Sequence, residues 1–125
     1  MRGIVIETNG RIYAAELRKP LYRSAARILD GYFEIVRPRG MKGPYCFLAN
    51  EAGLLQGLPV NKLGSWLYQS HLHGHPIVGN IIILKEEKYD LVSLDPDEIR
   101  TITAEMELLQ TCLDAQELLR EETPL

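Results

Sequence analysis

The chain has 125 residues, 46% of them hydrophobic and 25% charged, and a formal net charge of -3. That suffices for one globular domain over residues 1–125 whose core needs neither metal nor disulfide support. Cys46 and Cys112 form no C-x-x-C pair, so a thiolate zinc cluster or a dithiol redox motif has no support, and two free, buried thiols are expected.

From the N-terminus, Asn9-Gly10 stands between Ile4-Val5-Ile6-Glu7-Thr8 and Arg11-Ile12-Tyr13-Ala14-Ala15-Glu16-Leu17. An Asn-Gly pair between apolar runs predicts a β-hairpin with a type I′ turn. Pro20 opens a short helix over Leu21 to Leu29, which Asp30-Gly31 stops. Tyr32 to Arg37 and Tyr45 to Ala49 read as paired strands, joined by the basic, glycine-rich connection Pro38 to Pro44. Asn50-Glu51-Ala52-Gly53 is a turn, Leu54 to Gly57 a short strand, and Pro59 to Gln69 a weak helix carrying Leu63, Trp66 and Leu67 at helical spacing. His71 to Pro76 reads as a loop, Ile77 to Lys85 as a long central strand, and Tyr89 to Ser93 as a short edge strand.

The last element is a long helix. Asp95-Pro96-Asp97-Glu98 supplies an N-cap carboxylate, a proline at the first helical position and a glutamate at the capping-box position. Ile99, Ile102, Met106, Leu109 and Leu113 then form an apolar stripe, while Glu105, Asp114, Glu117, Glu121 and Glu122 stay wet. The expected fold is α+β: a mainly antiparallel sheet, a short N-terminal helix, a weak middle helix, and a long C-terminal helix packed on the sheet or on a partner. Charge divides the same way. Residues 95–125 hold nine acidic and two basic residues, so 95–122 is an acidic amphipathic helix beside a basic, sheet-rich part at 1–94. Between Arg18 and Lys42 seven cations face only Asp30 and Glu34, which suggests an anion site.

Most catalytic and metal motifs are missing. His71, His73 and His75 alternate, but no carboxylate or thiolate stands near to complete a metal site, so no metal is assigned. There is no G-x-S-x-G elbow, and the segment Pro38 to Pro44 lacks the spacing of a nucleotide-hydrolysing P-loop. The expectation is a protein that is not an enzyme and takes no cofactor. What remains is a binding surface: Arg37, Arg39 and Lys42 for phosphate or carboxylate, Tyr45, Trp66 or Tyr68 for stacking on a base, and Asn50 and Asn61 as polar residues of the turn segments. The N-terminal apolar run is too short and too charged for a signal peptide, and Ile81 to Leu84 is too short to span a membrane, so the expected location is cytoplasmic. An acidic chain also disfavours direct binding to nucleic acid.

Four segments recur together: Gly31-Tyr32-Phe33-Glu34-Ile35-Val36, Asn50-Glu51-Ala52-Gly53, Leu58-Pro59-Val60-Asn61 and Ile77-Val78-Gly79-Asn80. They resemble an uncharacterised domain family of phages, plasmids and conjugative elements, whose members share G-Y-x-E-x-V, N-E-x-G, L-P-x-N and I-x-G motifs in that order. The resemblance covers about residues 31–84; Lys62-Leu63-Gly64 after Asn61 and the long acidic helix depart from it. It implies a small accessory protein of a mobile element, of the kind that counters host defence. The leading expectation is a non-enzymatic sponge for a small anionic, nucleotide-like molecule. The alternative is an interaction module that inhibits a host defence protein through the acidic helix. An apolar stripe larger than one sheet face can cover would make the chain a homo-oligomer, with a dimer favoured.

Overall fold

The computed structural model describes residues 1–122, except for the side chains of His73, Glu121 and Glu122. Six strands form one antiparallel sheet: β1 (Arg2–Ile6), β2 (Ile12–Glu16), β3 (Phe33–Val36), β4 (Tyr45–Asn50), β5 (Ile81–Glu87) and β6 (Asp90–Val92). The order is β2-β1-β5-β4-β3. One edge of β5 pairs with β4; on the other, β1 pairs Ile81 to Ile83 and β6 takes over at Lys85 to Glu87. Five helices accompany the sheet: α1 (Leu21–Leu29), α2 (Gly53–Gln56), α3 (Lys62–Tyr68), α4 (Ser70–His73) and α5 (Pro96–Glu122). The α+β class with a long C-terminal helix is therefore as the sequence indicates.

Both faces of the sheet are covered, which explains why β4 and β5 read as nearly continuous apolar runs. Strand alternation sends Val5, Cys46, Leu48, Ile82 and Leu84 to one face, where Ala25 and Leu29 of α1 close over them. Ile4, Ile6, Phe47, Ile81 and Ile83 point to the opposite face, against Leu63 and Leu67 of α3 and Ile102 and Met106 of α5. The apolar stripe of α5 thus packs on its own sheet: Ile102 and Met106 are buried, and Ile99, Leu109 and Leu113 pack at the margin.

Local chemistry sets the element ends. The capping box of α5 is complete: the Glu98 N–H donates to Asp95 Oδ1 at 2.8 Å, and the Asp95 N–H donates to Glu98 Oε1 at 3.1 Å. The first hairpin differs from expectation in its turn. Gly10 has φ +91° but Asn9 is not in the left-handed region, the Gly10 N–H bonds Glu7 O, and strand pairing resumes at Ile6 with Ile12. This is a three-residue loop with Gly10 as the bulge, which needs one positive φ where a type I′ turn needs two.

Three further expectations are corrected. Leu54 to Gly57 is not a strand but the single turn α2, because Gly57 at φ 67° closes it with its N–H on Gly53 and Leu54 carbonyls, leaving Leu54 and Leu55 in solvent. His71 to Pro76 is not wholly loop: Ser70–His73 make the turn α4, stopped by Gly74 at φ 89°. The central strand begins at Ile81 rather than Ile77, since Gly79 at φ +79° breaks it and Val78 makes only an isolated bridge to Val60.

Candidate anion-binding site

The structure does not bring the residues singled out from the sequence into one place. Arg37 lies beside Glu86 and is held by it twice, Nε to Oε1 at 2.9 Å and Nη2 donating to Oε2 at 3.0 Å. Such a bidentate pair occupies the guanidinium face that would grip a phosphate. The adjacent Cys46 is walled in, and burial, reinforced by the Glu86 carboxylate, pushes its thiol up to about 11, whereas Cys112, expected to be buried, is exposed on α5 because it lies off the apolar stripe. Arg39 is exposed and, among the described residues, forms no ion pair. The connection it sits on is tethered one residue later, where the Gly40 N–H donates to Leu67 O at 2.9 Å.

Lys42 and Tyr45 face α5 across a groove of about 580 Å³ whose floor includes Met41, Ile102 and Met106. The rim is acidic, with Asp97, Glu98 and Glu105 opposite a single lysine, so it repels the anion expected there. Tyr45 donates its hydroxyl to Glu98 Oε2 at 2.7 Å, and Lys85 Nζ donates to Glu98 Oε1 at 2.8 Å. Burial alone would raise the Glu98 carboxyl, but these two donors and the Asp95 N–H outweigh it and hold the group at about 2. Because the folded value lies below the unfolded one, Glu98 adds stability above about pH 4.3, and the gain is lost as pH falls towards 2. After discounting for partial solvent exposure, we expect a contribution of about 1–2 kcal/mol at neutral pH. Urea midpoints measured from neutral pH down to acid should therefore fall more steeply in the wild type than in Glu98→Gln. Parallel curves would remove Glu98 from the acid response.

Asn50 and Asn61 act as staples. Asn50 Nδ2 donates to Leu29 O at 3.0 Å, Asp30 O at 3.1 Å and Gln56 Oε1 at 3.0 Å, while its Oδ1 accepts the Ala52 N–H at 2.8 Å. Asn61 is the N-cap of α3: Oδ1 accepts from the Gly64 N–H at 2.8 Å and Nδ2 donates to Ile6 O and Gly79 O, each at 3.0 Å. Both are at least nine-tenths buried, with donors and acceptors consumed within the chain. Trp66 stands apart from all of these, half-exposed in a cleft between α3 and α5 and stacked on His71 with ring centroids 6.1 Å apart. The His75 ring lies instead against Tyr68 at 5.6 Å, so these two histidines diverge; the His73 side chain falls outside the described residues. Among the described residues no three His, Cys, Asp or Glu side chains are grouped to hold a metal ion.

A different cationic cluster does converge. Arg18, Lys19, Arg23 and Arg27 line one cleft of about 450 Å³ where β2 runs into α1. Arg23 and Arg27 share a helix face at i, i+4, and Arg18 and Lys19 enter from the connection, which is fastened by the Ser24 hydroxyl donating to Arg18 O. Among the described residues none of the four forms an ion pair, since Glu16, the one carboxylate in the cleft, is taken by the Met1 ammonium at 2.9 Å and by Arg2 at 3.4 Å. The N-terminus of α1 has no side-chain cap and no acid in its first turn, so its dipole adds uncompensated positive potential. The charge count over residues 18–42 signals this cluster in the sequence, and the spacing of Arg23 and Arg27 locates it. The glycines of the Pro38 to Pro44 segment draw attention to the other half of that stretch.

A sheet covered on both faces, with a cationic cleft at the start of α1, defines a small α+β domain. Residues 1–107 match the family described as Domain of unknown function (DUF3846), and the chain belongs to that family. The match takes in the whole sheet, α1 and the first turns of α5. No curated protein and no solved structure matches the chain. Among the described residues no helix is long and apolar enough to cross a membrane.

Proposed function

We propose that this chain is a non-enzymatic binder of a small, nucleotide-like anion, held in the cleft of Arg18, Lys19, Arg23 and Arg27. The observation that supports this reading is four cations lining one cleft with no carboxylate partner among the described residues. Like charges gathered without counterions cost self-repulsion, which an anion with several phosphate oxygens relieves. The arrangement offers charge and donors but no activated nucleophile, which suits retention of a ligand rather than its conversion. The four sequence motifs suggest the setting, a phage or mobile-element accessory protein that removes a host defence signal by sequestering it.

Calorimetric titration with cyclic dinucleotides and ADP-ribose derivatives tests the reading. Arg23→Ala and Arg27→Ala together should weaken binding by at least about 100-fold, since each charge-assisted contact contributes about 1.5–3 kcal/mol. Arg37→Ala should leave affinity within about twofold, because Glu86 already occupies that side chain. Loss of binding in Arg37→Ala but not in the double variant would move the ligand to the Pro38 to Pro44 segment. If no panel member binds the wild type and a host protein is captured in a manner dependent on α5, the interaction-module alternative replaces this one.

A further inference from the structure

Granted that the cleft at the start of α1 holds an anion, its lining decides which part of a nucleotide is recognised. Recognising a base takes a flat ring to stack on it, or amide and hydroxyl groups to match its edge. Apart from the four cations and Glu16, the cleft is lined by Leu17, Pro20, Ser24 and Ile28. That set holds no ring and no amide, and its one hydroxyl, on Ser24, already donates to Arg18 O. Tyr22 is the ring nearest in sequence, but it is not among the lining residues and stands 55% exposed on α1.

Charge is what the lining supplies, and its amount is informative. The Glu16 carboxylate is matched by the Met1 ammonium at 2.9 Å and by Arg2 at 3.4 Å, so the positive charges of Arg18, Lys19, Arg23 and Arg27 stay unbalanced. A single phosphate monoester carries about -1.5 to -2 and would leave about half of that charge unmatched. Adjacent phosphates in one chain would balance it. Arg23 and Arg27 stand one helical turn apart, about 6 Å along the axis, so their guanidinium groups can take successive phosphates. The uncapped N-terminus of α1 adds to the same field. A cyclic dinucleotide, with single phosphodiester charges set apart by sugars, matches it less well.

We propose that the cleft recognises a chain of adjacent phosphates and leaves the base unread, so that its ligand class is an oligophosphate, free or carried by any nucleoside. This rests on the anion-binding reading above and narrows it: phosphate number, not base identity, sets affinity. Each phosphate added opposite the cluster gains a charge-assisted contact, while the base projects beyond a lining that offers it nothing to pair with.

The experiment is calorimetric titration of the full chain with inorganic tripolyphosphate, ATP, GTP and AMP, without divalent cations and at about 0.15 M salt, where exposed charges more than about 8 Å apart are screened. Tripolyphosphate should bind once per chain, ATP and GTP should differ by less than about fivefold, and AMP should be at least about tenfold weaker than ATP. Arg23→Gln with Arg27→Gln should abolish binding of tripolyphosphate and ATP alike, with the circular dichroism spectrum kept. Tyr22→Ala should shift ATP affinity by less than about fivefold, the least that a stacked base would contribute. Should the double variant unfold, Arg18→Gln with Lys19→Gln, both outside α1, takes its place. The inference alone is overturned if a nucleotide binds in a manner dependent on these arginines while tripolyphosphate does not, if base identity or Tyr22 moves affinity beyond that fivefold limit, or if AMP comes within the tenfold limit of ATP. If none of these probes and no cyclic dinucleotide binds, or if binding survives loss of the cations in a folded variant, the anion-binding reading falls with it.

Discussion

Asn61→Ala should lower stability by about 3 kcal/mol, read as a drop in urea midpoint at unchanged slope. The side chain reaches three elements at once: the end of β1 through Ile6 O, the turn before β5 through Gly79 O, and the first turn of α3 through the Gly64 N–H. Alanine removes the N-cap and leaves buried backbone groups without partners, each costing about 1–3 kcal/mol. Aspartate separates the two roles. Asn61→Asp keeps the acceptor for Gly64 but sets a carboxylate oxygen against two carbonyls, so it should destabilise more than alanine despite being the better cap. If Asp proves milder than Ala, capping of α3 dominates and the link between β1 and the Gly79 turn is minor.

Asn61 also marks what could be read from the sequence alone. Local rules delivered the local elements: Leu21 to Leu29 is α1 to the residue, and Asp95-Pro96-Asp97-Glu98 starts α5 through the capping box. Periodicity located the apolar stripe of α5 and the strands β3, β4 and β6 to within a few residues. It failed where a glycine decided the outcome, as Gly57 did for α2 and Gly79 for the start of β5, because a positive φ overrides the preference of apolar neighbours for extended structure.

The candidate site was harder to read, for a physical reason. Whether a cation is free depends on carboxylates that the fold brings from far away. Arg37 meets Glu86 from 49 positions along the chain, and Tyr45 and Glu98 are 53 apart. Strand β5 delivers Glu86, and α5 delivers Glu98, to a segment that looks purely basic in one dimension. Among the described residues Arg18, Lys19, Arg23 and Arg27 escape such pairing because α1 packs on the face of the sheet opposite acidic α5. The motifs, in turn, are largely stations of the backbone. Asn50 binds the C-terminus of α1 to the turn after β4, and at Gly31 any Cβ would come within 2.8 Å of its Nδ2, so two of the four motifs meet at one staple.

Met106→Asp should be the most damaging single change, at more than about 4 kcal/mol, enough to unfold a domain of ordinary stability. Met106 is 2% exposed and lies among Ile4, Ile6, Phe47, Ile81 and Ile83, the residues that carry the α5 face of the sheet. A carboxylate there has to be dehydrated with no cation in the cluster to pair with it, or else take up a proton. The second route gives the substitution a recognisable signature. The folded form would hold the aspartate neutral, so its folded pKa would lie above the unfolded value. Stability should then be best at low pH and fall as pH rises through that folded pKa, the reverse of the Glu98 contribution. Met106→Leu, which keeps apolar volume, should cost less than about 1.5 kcal/mol. Thermal melts of the two variants at neutral and acid pH make the comparison. An Asp variant that melts with the wild type at neutral pH would detach this turn of α5 from the sheet.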